Sequence, residues 1–410
     1  MRLIRREVAP VAIERVRTLA ARDGWLVESP EALRAGFGRR LLALTLDAGL
    51  AATAGTPPAL RSIELAGDDG PSGSGVVAFA TLPFDRTLPG QLDLPEYVLT
   101  QTTEGRAFLT SPETSPDPRG LIEAETLPTQ GLQAPLDLEL RPTPEGYARL
   151  VARAVEELRT KELDKVVLAR AVRGAVGTAI DPGALVARLR RREAVSTLYS
   201  LPTPERRRFV GASPELLARR QGSEVRCHPL AGTIALPSDG AAEGYGEWLL
   251  HSAKNLHEHA VVVDEIVARL AEVSDDVEAD ATPSIVALGS VAHLGSWIVA
   301  HGDPAPDALD VARLLHPTAA VGGRPRAEAL AALARLERHD RGHFAGPLGW
   351  VDQAGDGEWW LGLRGVVLDG AQFEAWAGAG IVAESDPIAE REETANKLAV
   401  VLSALLSESV

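Results

Sequence analysis

Within TPEGYARLVARAVEELRT the apolar residues Tyr147, Leu150, Val151, Ala154, Val155 and Leu158 recur at helical spacing, with Thr143 placed as N-cap and Pro144 in the first turn. The run KVVLARAV follows, so a strand opens at Lys165 directly after that helix. Further on come strand-like YSLP and RRFVGASPELLARR, then SEVRCHPLAGTIA, which reads as a strand ending in a glycine-containing turn. YGEWLLHSAKNLHEHAVVVDEIVARL predicts one long helix, and ALDVARLL a shorter one leading into the loop HPTAAVGGRPR. The helix AEALAALARLE, two strands in GEWWLGLRGVVL and QFEAWAGAGIV, and a final helix in DPIAEREETANKLAVVLSALLS complete the pattern. Residues 1 to 140 differ in texture: short apolar runs such as RRLLALTLDAGLAATA are broken by GDDGPSGSG and SPETSPDPRG, the pattern of a mixed strand-and-loop half. No dinucleotide-binding or P-loop glycine pattern occurs, no short-period repeat is visible, and no linker divides the second half.

Composition narrows the function class. The chain has 410 residues, of which 45% are hydrophobic, enough for a sizeable core. Charges interrupt every short apolar run near the N-terminus, and no stretch of about 18 apolar residues occurs, so neither a signal peptide nor a membrane span is expected and the cytoplasm is the default location. The single cysteine, Cys227, excludes an internal disulfide and a cysteine-based zinc site. A net charge of −15 argues against nucleic acid or an anionic membrane as partner, so an anionic substrate would need its positive charge supplied locally.

Candidate chemistry starts from lysine, which provides only 4 of the 42 basic side chains. Lysine can give up its proton when buried or set beside another cation, whereas arginine stays charged, so Lys165 is a candidate base. The last helix carries Glu390, Glu393 and Lys397 on one face. That face reads either as a solvated acidic surface with an i, i+4 ion pair or as a row of ligands. The earlier long helix places Asn255 and Glu258 three apart, and oxygen ligands from two helices suit a hard cation such as Mg2+. Zinc at His257 and His259 is excluded, because i, i+2 spacing on a helix points the rings apart. Gly378, Ala379 and Gly380 near a strand end could form a backbone N–H nest for a carboxylate or simply a tight turn. Gly232 fits a turn equally well. Arg364, the lone charge in WLGLRGVVL, is either a surface residue or an inward carboxylate fork.

The segments LDKVVLAR, FVGASPELL, PLAGT, KNLHEH, LLHPTAAVGG, GEWWLGLRG, AGAGIV and EREETANKL together resemble, in order and spacing, the chorismate-utilising enzymes, most closely their isochorismate synthase branch. The resemblance covers residues 145–407. It implies an α/β (α+β) fold in one large domain, with two packed β-sheets flanked by helices and a cleft between the sheet ends and the C-terminal helix. Residues 1–140 would be the variable half and 141–410 the chorismate-binding core. The resemblance makes Lys165 the base that activates water and Glu215 the acid that protonates the departing hydroxyl. It makes Glu258 and Glu393 Mg2+ ligands, with Glu390 a water-mediated or gating partner. Arg364 would grip the enolpyruvyl carboxylate, His293 would lie beside the substrate, and Ala320 and Val321 would shape the ring pocket. Gly232 and Thr233 would line the wall near the attacked carbon. Lys397 and the backbone of Gly378, Ala379 and Gly380 would supply positive potential at the ring carboxylate. One departure is Asn255, where many relatives carry an acid, so one negative charge near the metal is missing.

Salicylate synthase, which goes on to eliminate pyruvate, shares Lys165 and Glu215. Ala320, where lyase-active relatives tend to carry threonine, favours stopping at isochorismate. Anthranilate synthase lacks the base lysine, and aminodeoxychorismate synthase carries lysine where this chain has Ala231. Both imply a glutaminase partner, of which the sequence gives no sign. A chorismate-binding relative without turnover is the reading from a different class. The expected partner is the small molecule chorismate, the expected state a monomer.

Overall fold

The computed structural model describes residues 1–9, 11–47, 55–160, 163–204, 207–236, 245–288, 291–303 and 305–406. Among these residues twenty strands form one hydrogen-bonded network, and three more form a small separate sheet. The long strands Ala32–Leu46 and Gly90–Thr102 pair along most of their length and carry the network from one layer into another. The second of them shares its other edge, residues 91–93 pairing with Val77–Thr81 and residues 98–101 with Ala107–Pro112. From Ala32–Leu46 one arm runs through Trp25–Glu28, Thr197–Pro202, Arg208–Ser213, Gly365–Asp369, Gln372–Ile381 and Lys165–Val176. From Val77–Thr81 the other runs through Pro347–Asp352, Gly357–Leu361, Leu216–Gln221 and Glu224–His228.

The arms face each other. Trp25, Tyr199 and Phe209 of the first share one buried cluster with Phe79, Leu216, Trp350 and Trp360 of the second. A buried aromatic ring contributes several kcal/mol at about 25 cal/mol per Å2, against about 1 kcal/mol net for a ladder hydrogen bond. Ring packing therefore fixes how the layers lie. On the outside of the first arm, Val16 and Ala20 of the helix Ile13–Asp23, Leu185 and Leu189 of Pro182–Arg192, and Leu398 and Leu402 of Pro387–Leu405 pack onto Val210, Val366 and Ala375. On the outside of the second, Val262 and Ile266 of Ala253–Leu270 and Leu309 of Ala308–Leu315 meet Leu217, Val225, Cys227 and Trp359. The two packed sheets flanked by helices are those the family resemblance implies, joined here into one ladder network. Among the described residues no helix is long and apolar enough to cross a membrane.

Local expectations divide. The helix Pro144–Thr160 is capped by Thr143, whose Oγ1 accepts from the Gly146 N–H at 3.1 Å, and it buries Tyr147, Val151, Ala154, Val155 and Leu158. The long helix over YGEWLLHSAKNLHEH is instead two, Tyr245–His251 and Ala253–Leu270. Ser252 adopts extended dihedrals and its side chain caps the second helix through the Asn255 N–H. GEWWLGLRGVVL breaks into Gly357–Leu361 and Gly365–Asp369, with Arg364 in the break at φ 47°. The helix Ile13–Asp23 is present where strands and loops alone are expected.

Candidate active site

At the ends of these elements lies a cleft of about 760 Å3, the open solvent at its mouth included. Lys165 enters it from the first residue of its strand, and Glu215 from the turn between Arg208–Ser213 and Leu216–Gln221. Gly232, Thr233 and His293 come from the paired strands Leu230–Ala235 and Val291–Gly295 of the small sheet. Glu258 projects from Ala253–Leu270, Glu393 and Lys397 from the C-terminal helix, and Ala320 and Val321 from the loop before Gly323. Arg364, Gly378 and Gly380 line the cleft as well. Ala379 and Glu390 do not line it.

Lys165 and Lys397 line the cleft and Lys254 does not, and each of the three is paired with one of the three candidate metal-ligand carboxylates. Lys165 Nζ lies 2.9 Å from Glu258 Oε1, Lys254 Nζ 2.7 Å from Glu390 Oε1, and Lys397 Nζ 2.7 Å from Glu393 Oε1. Lys165 is 1% exposed, so it is a buried group with a specific partner and no ordinary surface lysine. Burial and the neighbouring Glu393 raise the Glu390 carboxyl, and its ion pair with Lys254 opposes the shift. The oxygen-only donor set, on two helices with two members on the cleft wall, fits a hard cation. The lysines hold the carboxylates meanwhile: among the described residues no three His, Cys, Asp or Glu side chains gather as a ready-made metal cluster.

Glu215 is buried without an ion pair. Burial pushes its carboxyl up to about 7, a shift that the Leu230 N–H, Lys165 and Lys397 oppose. A carboxyl still protonated near neutral pH suits a proton donor. On the same cleft wall the Arg364 Nη2 donates to His293 Nε2 at 3.2 Å, and His293 Nδ1 lies 3.0 Å from Thr233 Oγ1. Burial, with Lys397 and Arg364 nearby, holds His293 well below the usual imidazole range, so the ring is neutral. Its Nε2 accepts from Arg364, and Nδ1 therefore carries the proton donated to Thr233.

The glycines have particular reasons. Gly232 sits at φ +72° where the register between Leu230–Ala235 and Val291–Gly295 shifts, so it forms a bulge within a strand where a terminal turn is expected. Gly378, Ala379 and Gly380 form no nest. They lie inside Gln372–Ile381, paired residue for residue with 167–169, and an extended strand points successive N–H groups to opposite edges. Ala379 turns its side chain into the apolar cluster with Val166 and Leu168, which removes it from the cleft wall. Gly380 leaves room for the Lys165–Glu258 ion pair: a Cβ there would lie 2.3 Å from Glu258 Oε1 and 2.7 Å from Lys165 Cε. Gly378 contributes its carbonyl, which accepts from Lys397 Nζ at 3.1 Å.

Some buried charges here escape the sequence reading. Glu193, 4% exposed, accepts from Arg364 Nη1 at 3.0 Å. Arg341, on the cleft wall, donates to Val321 O at 2.9 Å, to Val167 O at 2.5 Å and to both oxygens of Glu337. It thereby ties the Ala320–Val321 loop to the strand of Lys165. In sequence these residues stand in the charged runs RRRE and ERHDRGH, which look like solvated surface. Only the i, i+4 spacing of Glu337 and Arg341 hints at a pair.

The sequence matches the family described as chorismate binding enzyme over residues 119–406. This chain belongs to that family. It is 32% identical to isochorismate synthase EntC of Escherichia coli K12, over 80% of each chain. It is 36% identical to the putative isochorismate synthase MenF of Mycobacterium tuberculosis, over 82% of this chain and 87% of that one. Among solved structures, MenF, the menaquinone-specific isochorismate synthase from Escherichia coli, superposes with a TM-score of 0.81 at 26% identity, covering 99% of this chain and 94% of that one.

Proposed function

We propose that this protein is a Mg2+-dependent isochorismate synthase, converting chorismate to isochorismate by attack of water at C2 with loss of the C4 hydroxyl. The observation that carries the reading is one cleft lined by a buried lysine, a buried acid shifted to about 7, a buried arginine and two lysine-paired carboxylates. Lys165, acting as the neutral amine after its proton has passed to solvent, takes a proton from the attacking water. The ring double bonds shift as the new C2–O bond forms, and Glu215 gives its proton to the hydroxyl leaving C4. Arg364 forks the enolpyruvyl carboxylate and Lys397 faces the ring carboxylate. Ala320 and Val321 bound the ring, held by the Arg341 bond to the Val321 carbonyl. A bound Mg2+, held by Glu258 and Glu393 with Glu390 behind them, would neutralise these carboxylates and bind the substrate's ring carboxylate. Water is the nucleophile, so no glutaminase subunit is required, and the enzyme acts as a monomer.

Incubation with chorismate and Mg2+, without ammonium, tests this by chromatography with a parallel pyruvate assay. Isochorismate without pyruvate is the expected result. Salicylate with stoichiometric pyruvate would assign the protein to the lyase branch, and bound but unchanged chorismate would overturn turnover altogether. The metal assignment has its own expected result. Glu393→Gln should raise the Mg2+ concentration for half-maximal activity by at least the ~10-fold that even outer-shell partners of a metal are worth. An unchanged Mg2+ titration would place the metal away from Glu393.

A further inference from the structure

Glu193 touches no part of the cleft, yet it holds a group that does. We infer that Glu193 is a positioning residue that fixes the guanidinium of Arg364 for the substrate's enolpyruvyl carboxylate, an inference that rests on the function proposed above. Glu193 follows the helix Pro182–Arg192, its N–H bonded to Leu189 O at 2.8 Å. The chain passes there from the exposed Arg191 and Arg192 to a carboxylate 4% exposed. Its Oε2 accepts from Ser196 Oγ at 3.2 Å and from Arg364 Nη1 at 3.0 Å. The carboxylate is thus itself held before it holds the arginine.

Arg364 needs such a hold. Its backbone is pinned in the left-handed region at φ 47°, with its carbonyl accepting from the Ala212 N–H at 3.3 Å. Gly211 leaves that carbonyl its space, since a Cβ there would lie 2.7 Å from it. A pinned backbone does not orient a long, rotamer-rich side chain. Glu193 takes one terminal nitrogen and His293 the other, each through one of the five guanidinium N–H groups. The remaining three are left in a fixed plane, the condition for a bidentate carboxylate contact.

A different role for Glu193 would be to neutralise a buried cation, wherever its oxygens lie. Two substitutions separate position from charge. Glu193→Asp keeps the charge but withdraws the acceptor by about one C–C bond, ~1.5 Å. Glu193→Gln keeps an oxygen in place and drops the charge. Steady-state kinetics with chorismate is expected to show KM raised ~10–100-fold in Glu193→Asp with kcat within ~3-fold, a loss typical of misplacing a binding group by about 1 Å. Glu193→Gln is expected to raise KM by a clearly smaller factor. Ser196→Ala, which removes the other bond to the same oxygen without altering charge, is expected to raise KM in the same direction and keeps the test open if the aspartate variant does not fold. A glutamine variant as impaired as the aspartate one, or Ser196→Ala with unchanged KM, would overturn the positioning role. Turnover by the unmodified enzyme is measured first, so failure of the functional reading shows there and failure of the positioning role only in the variants.

Discussion

Lys165→Ala is expected to lower kcat for isochorismate formation by about 10²–10⁴-fold, the range for removing a positioned acid or base, while the protein stays folded. The side chain is 1% exposed and its ammonium lies 2.9 Å from Glu258. Breaking a buried ion pair from one side often costs about 3–5 kcal/mol, because the remaining charge is left uncompensated. Here Lys254 and Lys397 also act on the Glu258 carboxylate. The stranded anion thus keeps two cations nearby, and the loss of stability is expected to be smaller than for an isolated pair. Product chromatography set beside a thermal unfolding curve measures both effects. A folded variant with near-normal turnover would remove Lys165 from the mechanism. A variant that fails to fold would show that Lys254 and Lys397 do not compensate Glu258.

The concentration of lysine in this cleft was partly legible in the sequence. Arginine serves at nearly every basic position, and a lysine opening a strand directly after a helix stands out against that background. The i, i+4 pair of Glu393 and Lys397 was legible on its own helix, but the pairing of Lys165 with Glu258 and of Lys254 with Glu390 was not, because each joins different elements and the second spans 136 positions. Periodicity located the helix Pro144–Thr160 because one repeating face meets one buried cluster. It missed the break at Ser252 because the apolar spacing continues across the interruption, and only the extended backbone of the capping serine reveals it. Arg364 reads as a strand residue because its neighbours are apolar and β-prone, whereas its positive φ depends on the Arg208–Ser213 strand lying alongside. Ala379 illustrates the same limit. The motif AGAGIV marks a site, but only the register against Lys165–Val176 determines that the glycines face the cleft and the alanine the core. Glu193 and Arg341 were hidden for a related reason: runs of charge signal a surface, and burial of single members is decided by tertiary partners.

Glu215→Gln is expected to abolish most turnover and, with it, the alkaline limb of the pH profile. Burial pushes the Glu215 carboxyl up to about 7, and the Leu230 N–H, Lys165 and Lys397 moderate that rise. The sign follows from the role. As proton donor to the departing C4 hydroxyl, Glu215 acts in its protonated form, which is full below about 7 and empties above it. The kcat/KM of the unmodified enzyme should therefore fall about tenfold per pH unit on the alkaline side, since that parameter reports the free enzyme. Glutamine keeps the shape and a hydrogen-bond donor but has no proton to release, so kcat should drop by about 10²–10⁴-fold. Whatever activity remains should no longer depend on pH near 7. A glutamine variant that kept the same alkaline limb would assign that titration to another group and leave the leaving hydroxyl without its donor. The two substitutions also predict different rescues. A small amine added to Lys165→Ala could replace the missing base in the cavity left by the side chain, with restored rate proportional to the free amine. Added acid cannot replace Glu215 in the same way, because the glutamine still fills the space in which the donor must stand.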